Sequence, residues 1–174
     1  MNKILTFILV ALLTLPSFSQ EEATQEEKEQ TTTYYFIRHA EKNRSNKDDK
    51  DPPLVINGQL RAAKWSLVFE HVQFDAIYST DYNRTRETAQ ATSEMQNVYI
   101  TIYNPRDIDV KSFILDTKGK TVLVVGHSNT TPMFVNAVIG EDKYKQINDT
   151  NNGNLYIVTI SKSGDISDIL IVIN

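Results

Sequence analysis

The chain has 174 residues, 18 basic and 22 acidic side chains, a formal net charge of −4, and no cysteine. One domain is expected at this length, large enough to bury about two-thirds of its unfolded surface without cross-links. The lack of cysteine excludes disulfides, thiolate metal sites and cysteine nucleophiles, and the acidic balance argues against nucleic acid as a partner.

Lys3 is the lone charge ahead of an apolar run over residues 4–15, which Pro16 and Ser17-Phe18-Ser19 follow. This is the pattern of a signal peptide cleaved after Ser19, and the run is too short to span a bilayer comfortably. Cleavage would remove only Lys3 and take the net charge from −4 to −5. No cysteine follows to carry a lipid. The expectation is therefore a bacterial exported protein, periplasmic or secreted, with no stable membrane anchor after cleavage. Residues 20–33 are polar and glutamate-rich, and read as an acidic flexible linker ahead of a folded domain over 34–174.

An apolar run, Tyr34-Tyr35-Phe36-Ile37, stops at Arg38-His39-Ala40-Glu41, as a buried strand does when it delivers reactive side chains to a sheet edge. Residues 43–53 mix charges of both signs and close on Pro52-Pro53, a loop. A helix of roughly fifteen residues then follows Asn57-Gly58. Two stripes recur along it at helical spacing: Leu60, Ala63 and Leu67, and beside them Trp65, Val68, Phe69 and Val72. Trp65 reads as core, and His71 as a surface or capping histidine.

Residues 74–79 are a short apolar strand. Thr80 and Asp81 can cap a helix from Tyr82 to about Glu94, which places Arg84 and Arg86 in its first turns. Basic residues there oppose the helix dipole, so a buried one needs an anionic partner. Residues 98–103 read as a third strand and 108–116 as a short helix. Residues 121–125 form a continuous β-branched run of the kind found centrally in a parallel sheet. Gly126-His127-Ser128 follows it. Thr131 is then a good N-cap, Pro132 suits the first helical position, and Gly140 can end the helix. Residues 155–161 and 166–173 read as a closing antiparallel pair. Strands alternating with helices predict an α/β fold, a three-layer α/β/α sandwich around a mostly parallel mixed sheet.

Two histidines, His39 and His127, each stand just past a buried strand. In open α/β sheets the ligand lies beyond the carboxyl ends of the strands. His127 also precedes a helix N-terminus, which attracts anions. Arg38 and Arg84 could join them, since a guanidinium forks across two phosphate oxygens. Together these residues predict a phosphate pocket inside an acidic protein.

At this point the chain resembles the histidine phosphatase superfamily, also called phosphoglycerate mutase-like. The resemblance rests on Arg38-His39-Ala40-Glu41, on the stretch from Pro52 to Ala62, on Ser79 to Ala89 with Arg84 in place, and on Gly126-His127-Ser128. The wider sequence around His127 looks like a branch of small bacterial members. The resemblance implies that His39 is the nucleophile that becomes phosphohistidine. It implies that Arg38, Arg84 and Ser128 bind the phosphoryl oxygens, and that His127 donates to them. No cofactor and no metal are implied, because arginines and histidines supply the positive charge.

The general acid is where the chain departs from larger members, which carry a glutamate in an insertion after the arginine helix. The matching region offers Glu94, Asp107, Asp109 and Asp116, with Asp107 and Asp109 the better candidates by reach. Glu41 is assigned a supporting role. A small phosphorylated substrate is the expected partner, a sugar or envelope phosphate outside the cytoplasm. A protein phosphohistidine phosphatase and a non-catalytic phosphate-binding module on the same fold are the alternatives.

Overall fold

The β-branched run at residues 121–126 becomes the strand on which the sheet is built. The structure, a computed structural model, describes residues 31–173. In chain order the elements are β1 (Thr32–Arg38), α1 (Ile56–Val68), β2 (Ala76–Thr80), α2 (Asn83–Gln96), β3 (Ile100–Tyr103), α3 (Val110–Asp116), β4 (Thr121–Gly126), α4 (Thr130–Ile139), β5 (Asn154–Ile160) and β6 (Ile166–Val172). They form one six-stranded sheet in the order β3-β2-β4-β1-β5-β6. β3, β2, β4 and β1 run parallel, and β5 and β6 close the sheet antiparallel. This is the expected mostly parallel mixed sheet.

Side chains alternate between the two faces of each strand, so β4 builds two cores at once. Val122 and Val124 point to one face and pack with Tyr34, Phe36, Phe113, Phe134 and Val138, under α3 and α4. Leu123 and Val125 point to the other, with Ile37, Ile77, Trp65, Phe69 and Ala89, under α1 and α2. The result is three layers. No helix among the described residues is long and apolar enough to cross a membrane.

The expected leader, residues 1–19, and most of the expected linker lie outside the described residues. Thr32 and Thr33, expected in the linker, instead begin β1. The Thr33 amide donates to the Lys120 carbonyl at 2.9 Å, and Thr32 Oγ1 accepts from the Gly119 amide at 2.8 Å. Backbone pairing extends the strand past the point where its apolar residues stop.

Three local expectations are corrected. Helix α1 begins at Ile56, so Asn57 and Gly58 lie in its first turn. Its buried face is Gly58, Ala62, Trp65 and Ser66, whereas Leu60 and Leu67 are each 64% exposed and Ala63 is exposed too. Both stripes have helical spacing, and only contact with the sheet selects between them. Helix α2 is not capped by Thr80 or Asp81: Tyr82 holds the N-cap position, and the Asn83 amide donates to Asp51 Oδ1 at 2.7 Å. A carboxylate from the preceding loop thus does the capping.

Helix α4 starts at Thr130, two residues early, which puts Pro132 in the third helical position. Thr131 reaches back across the sheet and its hydroxyl donates to the Ile37 carbonyl at 3.3 Å. Gly140 does end the helix, at φ 73°.

Two glycines allow the close approaches that assemble the site. A Cβ on Gly126 would lie 2.7 Å from Thr131 Oγ1, so β4 can turn into α4 only without a side chain there. A Cβ on Gly58 would meet the Glu41 carbonyl oxygen at 2.2 Å. That contact presses α1 against the segment after His39 and lets Arg61 Nε reach the Glu41 carboxylate at 2.8 and 3.1 Å.

Candidate active site

Arg38 and Gly126 are paired across β1 and β4, and Ser79 on β2 faces Val125. Three strands therefore end side by side, and Arg38, His39, Thr80 and His127 emerge at one edge. This is the carboxyl edge, where open α/β sheets bind ligands. A cavity of about 280 Å³ opens there, lined by Arg38, His39, Arg84, His127 and Ser128 among others. The sequence-predicted set is thus brought together.

His39 is 3% exposed. Its amide donates to the Gly126 carbonyl at 2.9 Å, and its own carbonyl accepts from the Asn152 side-chain amide at 2.7 Å. Nδ1 lies 2.7 Å from the Ala40 carbonyl oxygen. A carbonyl can only accept, so Nδ1 carries the proton and Nε2 keeps the lone pair. Burial pushes the imidazole down to about 3; the Ala40 carbonyl works against that shift, while Arg38, His127 and Arg84 reinforce it. A neutral ring with a fixed tautomer is what a nitrogen nucleophile requires.

His127 is held in the opposite sense. Nδ1 lies 3.5 Å from Arg84 Nη2, which can only donate, and Nε2 lies 2.9 Å from Thr80 Oγ1. In the neutral ring Nε2–H therefore donates to Thr80. The Thr80 hydroxyl donates to Thr85 Oγ1 at 3.0 Å, and the Thr85 hydroxyl ends the chain on a carbonyl, Thr80 at 2.8 Å or Tyr82 at 2.9 Å. Burial, then Arg84, Arg38 and Lys42, push His127 down to about 4. The Tyr82 ring stands edge-on to His127 at 5.0 Å and lies 4.4 Å from the Arg84 guanidinium.

The two arginines are anchored on one side and free on the other. Arg38, 1% exposed, donates through Nη1 to the carbonyls of Asn148 at 2.9 Å and Asn151 at 2.8 Å, and through Nη2 to Asp149 at 2.6 Å. Arg84 Nη1 lies 3.5 Å from Asp51 Oδ1. Arg38 Nε, Arg84 Nε and Arg84 Nη1 are buried without a hydrogen-bond partner among the described residues. Buried guanidinium N–H groups left unmatched are costly unless an anion meets them.

Other predicted residues fall elsewhere. Glu41 is bound to Arg61 and does not line the cavity, which fits its supporting role. Asp109 caps α3, accepting from the Lys111 amide at 3.1 Å and the Ser112 hydroxyl at 2.8 Å. Asp107 is bound to the Asn104 side chain on the exposed turn before it. Neither lines the cavity, and both carboxylates bond within the local turn and cap. Sequence reading missed Lys42, Tyr82, Arg106 and Asp149 in the wall. Asp149 had no signal at all, because it meets Arg38 from 111 residues away. Lys42 did have one, standing three residues after His39 on the same strand exit.

Fold and site together define an α/β phosphatase of the histidine type. The sequence pattern of the histidine phosphatase superfamily, branch 1, matches residues 34–106, a stretch that contains Arg38, His39 and Arg84. His127 lies beyond the match and joins them through the sheet. No curated protein matches the chain in sequence.

Among solved structures, the protein histidine phosphatase SixA complexed with tungstate is 17% identical, over 80% of this chain and 96% of its own, with a TM-score of 0.60. Bacillus stearothermophilus YhfR is 19% identical, over 78% and 94%, at 0.62. The Entamoeba histolytica phosphoserine phosphatase in complex with 3-phosphoglyceric acid is 16% identical, over 82% and 98%, at 0.60. At these identities the likeness is one of fold.

Proposed function

We propose that the protein is an exported phosphomonoesterase that acts on a small phosphorylated molecule, a sugar or envelope phosphate, through a phosphohistidine on His39. One observation carries this reading: a neutral His39 with Nδ1 locked on Ala40 lines one cavity with Arg38 and Arg84, whose guanidinium groups include buried N–H groups without a hydrogen-bond partner among the described residues. Arg38 and Arg84 hold the phosphoryl oxygens. His39 Nε2 attacks phosphorus in line, the N–P bond forms, and the P–O bond to the leaving group breaks. His127 faces the oxygens on which charge develops, where a hydrogen-bond donor stabilises the transition state most. Water then attacks the phosphohistidine and frees orthophosphate and His39. The export part of the proposal rests on the leader-like residues 1–19.

Incubation with an aryl phosphate between pH 4 and 8 tests the reading. Turnover is expected, together with an acid-labile phosphate label on the protein. His39→Ala should remove both, and turnover that survives it would refute the nucleophile assignment.

A second reading, protein phosphohistidine hydrolysis, is favoured by one observation. The link from β3 to α3 is only residues 104–109, so no long segment from that link covers the cavity mouth. The SixA structure is of a protein histidine phosphatase. Release of phosphate from a histidine-phosphorylated protein faster than from small esters would favour it.

A further inference from the structure

The phosphatase reading leaves one group unassigned, the proton donor to the departing oxygen. Among the described residues Asp149 is the only carboxylate that lines the cavity, and its bonds to Arg44 and Arg38 hold it down to about 2, so it carries no proton to give. Lys42 lines the same cavity and also the adjoining one of about 170 Å³, together with Asn43, Arg44 and Lys47. Lys42 is thus shared by the phosphoryl pocket and the neighbouring groove. Its backbone is fixed by a bridge to Leu54, while its side chain has neither hydrogen bond nor ion pair among the described residues.

We propose that Lys42 protonates the leaving oxygen of the substrate, with the leaving group directed toward the groove formed by Asn43, Arg44 and Lys47. The proposal rests on the phosphohistidine reading. As the N–P bond to His39 forms and the P–O bond breaks, a proton passes from the Lys42 ammonium to the departing oxygen. The alcohol leaves with the electron pair of the broken bond and that proton, and Lys42 is left as a neutral amine. In the second step the amine takes a proton from the attacking water while the O–P bond forms and the N–P bond breaks. Lys42 is an ammonium again and the balance closes.

The surroundings suit this cycle. Burial lowers the lysine from its ordinary range; Arg84, Arg44 and Arg38 add to the shift, while Asp149 opposes it. A lysine made more acidic in this way is a better proton donor near neutral pH.

The test is a series of phosphomonoesters whose leaving groups run from a nitrophenol to a simple alkyl alcohol, with acid-labile labelling followed in parallel. Lys42→Met should lose about 10²–10⁴-fold in kcat/KM on the alkyl ester and less than about 10-fold on the nitrophenyl ester, which needs no proton. Lys42→Arg keeps the charge but does not release a proton, so it should follow Lys42→Met on the alkyl ester. Tyr82→Phe should lower the whole series evenly.

Equal losses across the series for Lys42→Met, full recovery in Lys42→Arg, or a leaving-group-selective loss in Tyr82→Phe instead would each overturn the assignment. A native protein that hydrolyses no member and takes up no label would overturn the phosphatase reading, and the proposal with it. Turnover with labelling but no selective effect at Lys42 defeats the proposal alone.

Discussion

The rings of His39 and His127 stand 5.5 Å apart, inclined by 67°, at the ends of two adjacent parallel strands. Their proton assignments are opposite: His39 is protonated at Nδ1 and His127 at Nε2. That asymmetry separates their roles. His39 offers a lone pair at Nε2, and His127 Nδ1 is the position that gains a proton when an anion arrives.

Nitrogen-detected NMR across a pH titration checks this. Free protein should show both rings neutral at pH 6, His39 as the Nδ1–H form and His127 as the Nε2–H form. Saturating tungstate or orthophosphate should raise the His127 titration toward neutral pH, because an added anion favours the charged ring. His39 should move less, its Nδ1 being already committed to Ala40. Identical tautomers in the two rings would contradict the assignment.

Thr80→Val removes the acceptor that orients His127 and keeps the shape of the side chain. The ring would lose the partner that fixes its tautomer, and with it the placement of Nδ1 for the proton it takes up when an anion arrives. We expect kcat on an aryl phosphate to fall about 10–100-fold with KM nearly unchanged, as for loss of an interaction strengthened in the transition state. The acid-labile label should still form, more slowly. A change confined to KM would place Thr80 in ground-state binding instead.

Much of this site was legible before any coordinates. Arg38-His39 and Gly126-His127 announce themselves because apolar strands end on polar residues, and Arg84 because a basic residue in a first helical turn needs an explanation. The anchors were not legible. Asn148, Asp149, Asn151 and Asn152 reach Arg38 and His39 from a loop more than a hundred residues away, and no local pattern encodes that contact. Asp107 and Asp109 stand close to the site along the chain, yet their carboxylates bond within their own turn and cap. Lys42 was given no role, although it stands three residues after His39 and just ahead of the mixed-charge loop that begins at residue 43.

Helix α1 permits a sharp comparison, since Trp65 and Leu67, on stripes of similar spacing, have opposite fates. Trp65 is 2% exposed and stacked on Phe69 at a centroid distance of 5.6 Å. Trp65→Ala should cost about 3–5 kcal/mol in chemical denaturation. Leu67→Gln, on the outward stripe, should change stability by no more than about 0.5 kcal/mol. Similar losses at both positions would mean that the outward stripe is covered in solution.

The two buried histidines also set a pH dependence of stability, and its sign follows from where protons bind. Unfolded, each takes up a proton near 6.5; folded, His127 waits until about 4 and His39 until about 3. Between those limits the unfolded chain holds more protons, so stability falls as pH falls. The loss begins near 6.5 and should reach at most about 2 kcal/mol per histidine by pH 5. Asp149 does not enter this window, because its contribution is lost only between 3.8 and about 2. His71, the third histidine, is exposed and serves as the control. Urea midpoints measured from pH 8 to 5 should slope downward in the native protein and in His71→Asn. The slope should flatten in His39→Asn and in His127→Asn, whatever their absolute stability. A native profile flat across that range would mean that one or both rings already carry a proton in the folded state, which would remove the neutral nucleophile on which the phosphohistidine step depends.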